Sequence, residues 1–258
     1  MVRSHNEDSI SSMSDKGLVV LADGMGGYNA GEVASGMATT VITTELQQIL
    51  DNISPHEVDP QSGKKAALKM LQEQVAKANT SIYQASHSQP QYSGMGTTLV
   101  VALFYDNKMM VAHIGDSRLY RQRGEEFSQV TKDHSLLQEQ MDAGMLTKEQ
   151  AKLSSNKNLV TRALGIDPQV EAEIHEYDTQ PGDIYLLCSD GLSDMVSDED
   201  IGMALSALGA NLNLAAQQLV QMANDNGGRD NVSVILIKIL REYPAGRGLG
   251  SKIAGWFR

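Results

Sequence analysis

Several stretches of the chain are apolar at consecutive rather than alternate positions, among them TLVVALF at 98–104 and VSVILIKI at 232–239. That pattern predicts strands covered on both faces. Strands are expected over Gly17–Ala22, Thr97–Tyr105, Lys108–Gly115, Val170–Tyr177, Asp183–Cys188 and Val232–Ile239. Asp106-Asn107 is a hairpin turn signal between two of them. A second hairpin, Arg118–Arg121 with Glu126–Val130, is expected around Gly124.

Helical spacing replaces this pattern elsewhere. Val33, Met37, Val41 and Leu46 predict a helix over Ala30–Leu50. Further helices are expected over Lys64–Ala85, Ile201–Leu208 and Leu214–Ala223. The order is two helices, a block of strands, then helices and a last strand. That is not the steady alternation of a doubly wound sheet, so the fold class expected is α+β, with sheets sandwiched between helical layers. Residues 135–165 carry no clear period and read as an excursion near the working face rather than core.

Charge and cysteine usage narrow the function. The chain has 258 residues, 32 acidic against 21 basic, for a net charge of −11. Nucleic acid is not an expected partner, because that requires a basic face. An acidic surface also repels phosphates unless cations intervene. Cys188 stands alone, so no disulfide forms within the chain, and a reducing, cytoplasmic location is expected. No apolar run reaches the roughly 20 residues of a transmembrane segment. The end of the chain, GLGSKIAGWFR, reads as a loose tail or short docking helix rather than a membrane anchor.

Four aspartates share one context. Asp23 closes LVVLAD, Asp116 follows VAHIG, Asp190 follows IYLLCS, and Asp230 lies just before VSVILI. A carboxylate at the end of a buried strand is costly unless it is paired or binds metal. Any one of them could be a turn former or helix cap, but four in the same setting are not explained that way. All-oxygen ligands suit Mg²⁺ or Mn²⁺, and zinc's preferred ligands are missing. The glycines after Asp23 fit neither G-x-G-x-x-G, since Asn29 stands in the last position, nor a phosphate-binding loop with its Lys. No activated nucleophile is evident, and Cys188 reads as a small hydrophobe.

The segments VRSHNED, LADGMGG, GMGTTLV, AHIGDSRLYR, LLCSDGLSDMV and GGRDNVSVI, in this order, resemble the metal-dependent protein phosphatases of the PP2C type, in their bacterial branch. The resemblance runs from Arg3 to about Ile239. It implies a four-layer αββα sandwich over residues 1–240, with a flap at about 135–165 and a tail at 241–258. It implies hydrolysis of phosphoserine and phosphothreonine in phosphoprotein substrates, with Mn²⁺ or Mg²⁺ as cofactor. By the same resemblance Asp23 bridges two ions, the Gly24 carbonyl completes the first site, and Asp190 and Asp230 hold the second. A third ion would lie between Asp116 and Asp190. Arg3 would bind the substrate phosphate, and Glu7 and Asp8 would order metal-bound waters.

The resemblance also implies a cognate Ser/Thr kinase as partner and a monomer. Its alternatives are a metal-binding pseudophosphatase acting as a sensor or scaffold, or a phosphatase of a regulatory partner-switching protein. Met25 stands where some relatives carry a His as general acid, and Met donates no proton. That leaves the acid unassigned between a metal-bound water, His113 and His134. Two residues precede Arg3, so either a short first strand or a truncated start is expected. The flap, LSSNKNLVTRALG, lacks the His-Pro often found before Asn-x-x-Thr-Arg.

Overall fold

Side-chain parity along the central strands sets the layers. In the computed structural model, which describes residues 5–27, 30–60, 63–147, 150, 151, 154 and 159–245, strand β2 spans Leu18–Met25. Its Leu18, Val20 and Ala22 enter one core, and its Val19 and Leu21 enter another. Strand β4 (Leu99–Tyr105) divides the same way, Leu99, Val101 and Leu103 against Val100 and Ala102. A strand alternates its side chains between faces, so consecutive apolar residues here mean two cores.

Strands β1 (Asp8–Met13), β2, β3 (Gly96–Thr97), β4, β5 (Lys108–Ile114) and β8 (Glu173–Asp178) form the first sheet, in the order β1-β2-β4-β5-β8 with β3 also on β2. The second sheet runs β10-β9-β6-β7, from β10 (Val234–Lys238), β9 (Ile184–Cys188), β6 (Arg118–Arg123) and β7 (Glu126–Gln129). Every pairing is antiparallel. Helices α1 (Ala30–Leu50) and α2 (Ala66–Ser88) cover the first sheet through Ala34, Ala38, Ile42, Leu71, Val75 and Ile82. Between the sheets lie Val19, Leu21, Val100, Met109, Val111, Leu119, Tyr185 and Leu187.

The second sheet's outer face packs Leu186, Cys188 and Tyr120 against two helices. These are Asp198–Leu208 and Leu212–Asp225, each N-capped by a side chain, Ser197 and Asn211 respectively. With the short helices α3 (Leu136–Asp142) and α4 (Asp190–Ser193) before them, they are α5 and α6. Three cores separate four layers, helix, sheet, sheet, helix, as the α+β expectation required.

Three differences from the sequence reading have physical causes. VSVILIKI is only half-buried over most of its length, because β10 is an edge strand of its sheet. Strand β1 escaped the apolar pattern because DSISSM is mostly polar; it pairs with β2 on one side only, at the sheet's edge. The stretch 135–165 is not wholly an excursion. Leu164 is fully buried, and its backbone exchanges hydrogen bonds with Thr97 at 2.9 and 3.1 Å. Asn79 Oδ1 accepts the N–H of Gly165 at 2.8 Å, which ties that return to α2.

Candidate functional site

Both sheets present the same edge to the aspartates. In the first sheet, β1 begins there with Asp8, which pairs across the ladder with Asp23 near the end of β2. The same edge holds the start of β4 and the end of β5. In the second sheet it holds the start of β6, the end of β9 and the start of β10. Arg118 and Val234 are both ladder partners of Cys188, two residues before Asp190. Antiparallel pairing thus gathers the connection 115–117, residues 189–190 and residues 230–233 beside Asp8 and Asp23.

Hydrogen bonds brace the segments that carry the carboxylates. Ser189 Oγ donates to Asp8 Oδ2 at 2.8 Å and accepts from the Ser233 N–H at 3.0 Å. The Asp23 N–H donates to Thr98 Oγ1 at 3.0 Å, and Thr98 Oγ1 lies 2.7 Å from Ser117 Oγ, beside Asp116. Asn231 Oδ1 accepts from the Glu7 N–H at 2.9 Å, and its Nδ2 donates to the His5 carbonyl at 3.0 Å. The segment entering β1 is therefore held by the residue after Asp230.

Glycines permit the close approaches. A Cβ on Gly24 would lie 2.0 Å from the Gly31 carbonyl oxygen, so the first turn of α1 packs directly on β2. A Cβ on Gly191 would lie 1.9 Å from the Asn231 carbonyl oxygen. Only a missing side chain lets the turn bearing Asp190 meet the loop bearing Asp230.

The carboxylates repel one another. Burial, then Asp8, Asp190 and Asp116, hold the Asp23 carboxyl well above the usual range. Burial and the charges of Asp116, Asp194 and Asp230 push Asp190 up to about 7. Burial and Asp133 raise Asp116 to about 6, and burial raises Asp8 as well. Asp8 Oδ1 is buried with no hydrogen-bond partner among the described residues. Crowded carboxylates with an orphaned acceptor are what a cation would satisfy, and an all-oxygen set suits Mg²⁺ or Mn²⁺. Among the described residues, the trio with ligand atoms all within 4.8 Å is His113, His134 and Glu173, not three of the aspartates.

Asp8, Asp23, Gly24, Asp116, Asp190 and Asp230 thus lie along one edge, with Glu7 next to Asp8. Arg3 lies outside the described residues, as does the tail from residue 246. His113 and His134 are buried, and each is tied to the backbone, at the Lys132 carbonyl and the Gly115 N–H respectively. Sequence reasoning overlooked Ser189, Gly191 and Asn231. Their only signal was adjacency to Asp190 and Asp230.

The family profile of protein phosphatase 2C matches residues 2–235. The serine/threonine phosphatase stp of Listeria monocytogenes is 34% identical over 240 residues, covering 92% of this chain and 91% of that protein. The crystal structure of the Mycobacterium tuberculosis serine/threonine phosphatase PstP/Ppp superposes with a TM-score of 0.83 at 38% identity, covering 94% of this chain and 95% of that one. The catalytic domain of PstP in complex with two manganese ions superposes with a TM-score of 0.79, also at 38% identity, over 93% and 94% of the two chains. The chain belongs to the protein phosphatase 2C family.

Proposed function

We propose that this chain is a metal-dependent protein phosphatase that hydrolyses phosphoserine and phosphothreonine in phosphoprotein substrates. The observation that carries it is the convergence of Asp8, Asp23, Asp116, Asp190 and Asp230 on one edge of two packed sheets, in a chain of this family. Asp23 and the Gly24 carbonyl would hold one Mn²⁺ or Mg²⁺ ion, Asp23, Asp190 and Asp230 a second, and Asp116 with Asp190 a third. Bound there, the ions supply a water that is deprotonated at neutral pH, and they screen the substrate's charge.

The chain's own residues do the rest. Asp23 and Asp190 offer oxygen ligands whose protons a divalent cation would displace. Asp8, braced by Ser189 at Oδ2, has in Oδ1 an acceptor with no hydrogen-bond partner among the described residues, which could take a hydrogen bond from an ordered water. Glu7 stands beside it, held through its backbone by Asn231. Arg3 would fork onto phosphate oxygens. The phosphatase unit is assigned to residues 1–240, with the flap at 135–165. We take it to oppose a Ser/Thr kinase as a monomer, and a cytoplasmic location suits its one free, buried cysteine. Nothing in the site favours a pseudophosphatase, since each expected metal position carries a suitable ligand.

Hydrolysis of p-nitrophenyl phosphate and of a phosphothreonine peptide, with Mn²⁺ and with EDTA, tests the reading. Turnover should require the metal and fall at least ~100-fold in Asp23→Asn and Asp190→Asn, since each removes a charge from the metal set. Activity that survives EDTA overturns the mechanism.

A further inference from the structure

Behind the aspartates, the segment 132–134 grips the turn that carries Asp116. The His134 N–H donates to the Gly115 carbonyl at 2.8 Å, and His134 Nδ1 accepts the Gly115 N–H at 3.1 Å. His113 Nε2 donates to the Lys132 carbonyl at 2.8 Å. Arg118 closes the other side, with Nε 3.0 Å and Nη2 2.6 Å from Asp133 Oδ2. Gly115 sits at φ +99°, and a Cβ there would lie 2.7 Å from the Thr98 side chain. The turn is therefore confined from three directions. The His134 carbonyl also accepts the Thr161 N–H at 2.8 Å, which reaches the 135–165 region.

Glu173 completes the arrangement. It faces His113 across the β5–β8 ladder, and its Oε2 lies 3.4 Å from Nε2 of both His113 and His134. The two imidazoles are stacked, with centroids 4.8 Å apart. Burial holds both rings below the usual histidine value, so they are neutral at neutral pH.

The spacing of His113, His134 and Glu173 also suits a metal ion, but the hydrogen bonds argue otherwise. The Gly115 N–H occupies the Nδ1 lone pair, so the neutral His134 ring carries its proton on Nε2. A cation on Nε2 would move that proton to Nδ1, against an N–H donor 3.1 Å away. His134 Nε2 is buried with no close hydrogen-bond partner among the described residues, and the Glu173 carboxylate faces it at 3.4 Å.

We propose that Glu173 and His134 are positioning residues: Glu173 fixes His134 in its Nε2–H tautomer, and His134 holds Gly115 so that the next residue, Asp116, presents its carboxylate towards Asp190. The proposal rests on the reading of Asp116 as a metal ligand. Groups that orient a metal ligand from behind typically change metal affinity by about 10- to 100-fold when removed, and this pair acts one step further back, through the Gly115 backbone.

The test uses the full chain with Glu173→Ala, Glu173→Gln, His134→Leu and His134→Asn, each checked for folding by circular dichroism. Gly115 amide exchange and the His134 tautomer are read by ¹⁵N NMR without metal, and Mn²⁺ binding by calorimetry. Glu173→Ala and His134→Leu should accelerate Gly115 exchange and weaken the loosest Mn²⁺ ion about tenfold, leaving the tighter ions unchanged. Glu173→Gln keeps an acceptor for Nε2–H, and His134→Asn keeps one for the Gly115 N–H, so both should restore native behaviour.

Unchanged Gly115 exchange in Glu173→Ala and His134→Leu overturns the proposal. So does a stoichiometric Zn²⁺ ion that binds at this cluster and is lost in Glu173→Ala. If Asp116→Ala leaves Mn²⁺ binding unaltered, it is the ligand reading that fails, while the exchange of Gly115 still decides the positioning role.

Discussion

Asp8 has one oxygen tied to Ser189 and the other buried without a hydrogen-bond partner among the described residues. Its environment is asymmetric because Ser189 also takes the Ser233 N–H, so the hydroxyl is fully committed. Ser189→Ala should leave the fold intact, cost on the order of 1 kcal/mol from the lost hydrogen bonds, and weaken Mn²⁺ binding about tenfold; calorimetric titration of Mn²⁺ checks this. Cys188, two residues before Asp190, behaves oppositely. Full burial pushes its thiol up to about 12, so a thiol reagent at pH 8 should modify it only after unfolding. Reaction at native conditions would show that β9 opens. Asp23, Asp190, Asp230 and Asp116 were legible in the sequence because each adjoins an apolar run. Ser189 and Asn231 were not, since a small polar residue beside a motif looks the same whether it braces a ligand or faces water.

At the scale of elements, the approach of the α4 turn to the loop before β10 is the tightest joint of the site. Gly191 leaves no room for a methyl group beside the Asn231 carbonyl. Gly191→Ala should destabilise by roughly 1–3 kcal/mol, as overpacking does, and should also separate Asp190 from Asp230. A thermal melt and a Mn²⁺ titration on the same variant read the two effects; an unchanged melting temperature would mean the loop yields freely. Helix α1 ran over the residues its periodicity marked, and the Asp106-Asn107 turn forms with φ of 46° and 57° at its two central residues. Strand β1 left no apolar pattern because its partner, β2, supplies what its own polar sequence lacks. The return of Leu164 to the core was hidden for a similar reason. One apolar side chain in an aperiodic stretch carries no signal until Thr97 is placed beside it.

The whole molecule places five carboxylates where their mutual repulsion opposes folding. The sign of the resulting pH dependence follows from their raised values. Asp190 at about 7 and Asp116 at about 6 keep protons in the folded state that an unfolded carboxyl has already lost above about 4. Metal-free protein should therefore lose stability as pH rises from about 4.5 to 7. Saturating Mn²⁺ should remove that slope, because the ion takes the place of the protons. Melting temperatures at several pH values, with Mn²⁺ and with EDTA, test this; a metal-free protein that grows more stable over that window would contradict the crowding.

By itself the sequence determined the strands that lie between two cores, the main helices and the four aspartates beside apolar runs. Each of these is written in local periodicity, which reflects how much of a segment is buried. Tertiary structure alone decided that Asp8 faces Asp23, that Asn231 holds the segment entering β1, and that Glu173 meets His134 behind Asp116. Those meetings join residues far apart in the chain, and they depend on strand register and sheet stacking. A shift of one residue would turn a side chain to the opposite face, so no local pattern could have specified them.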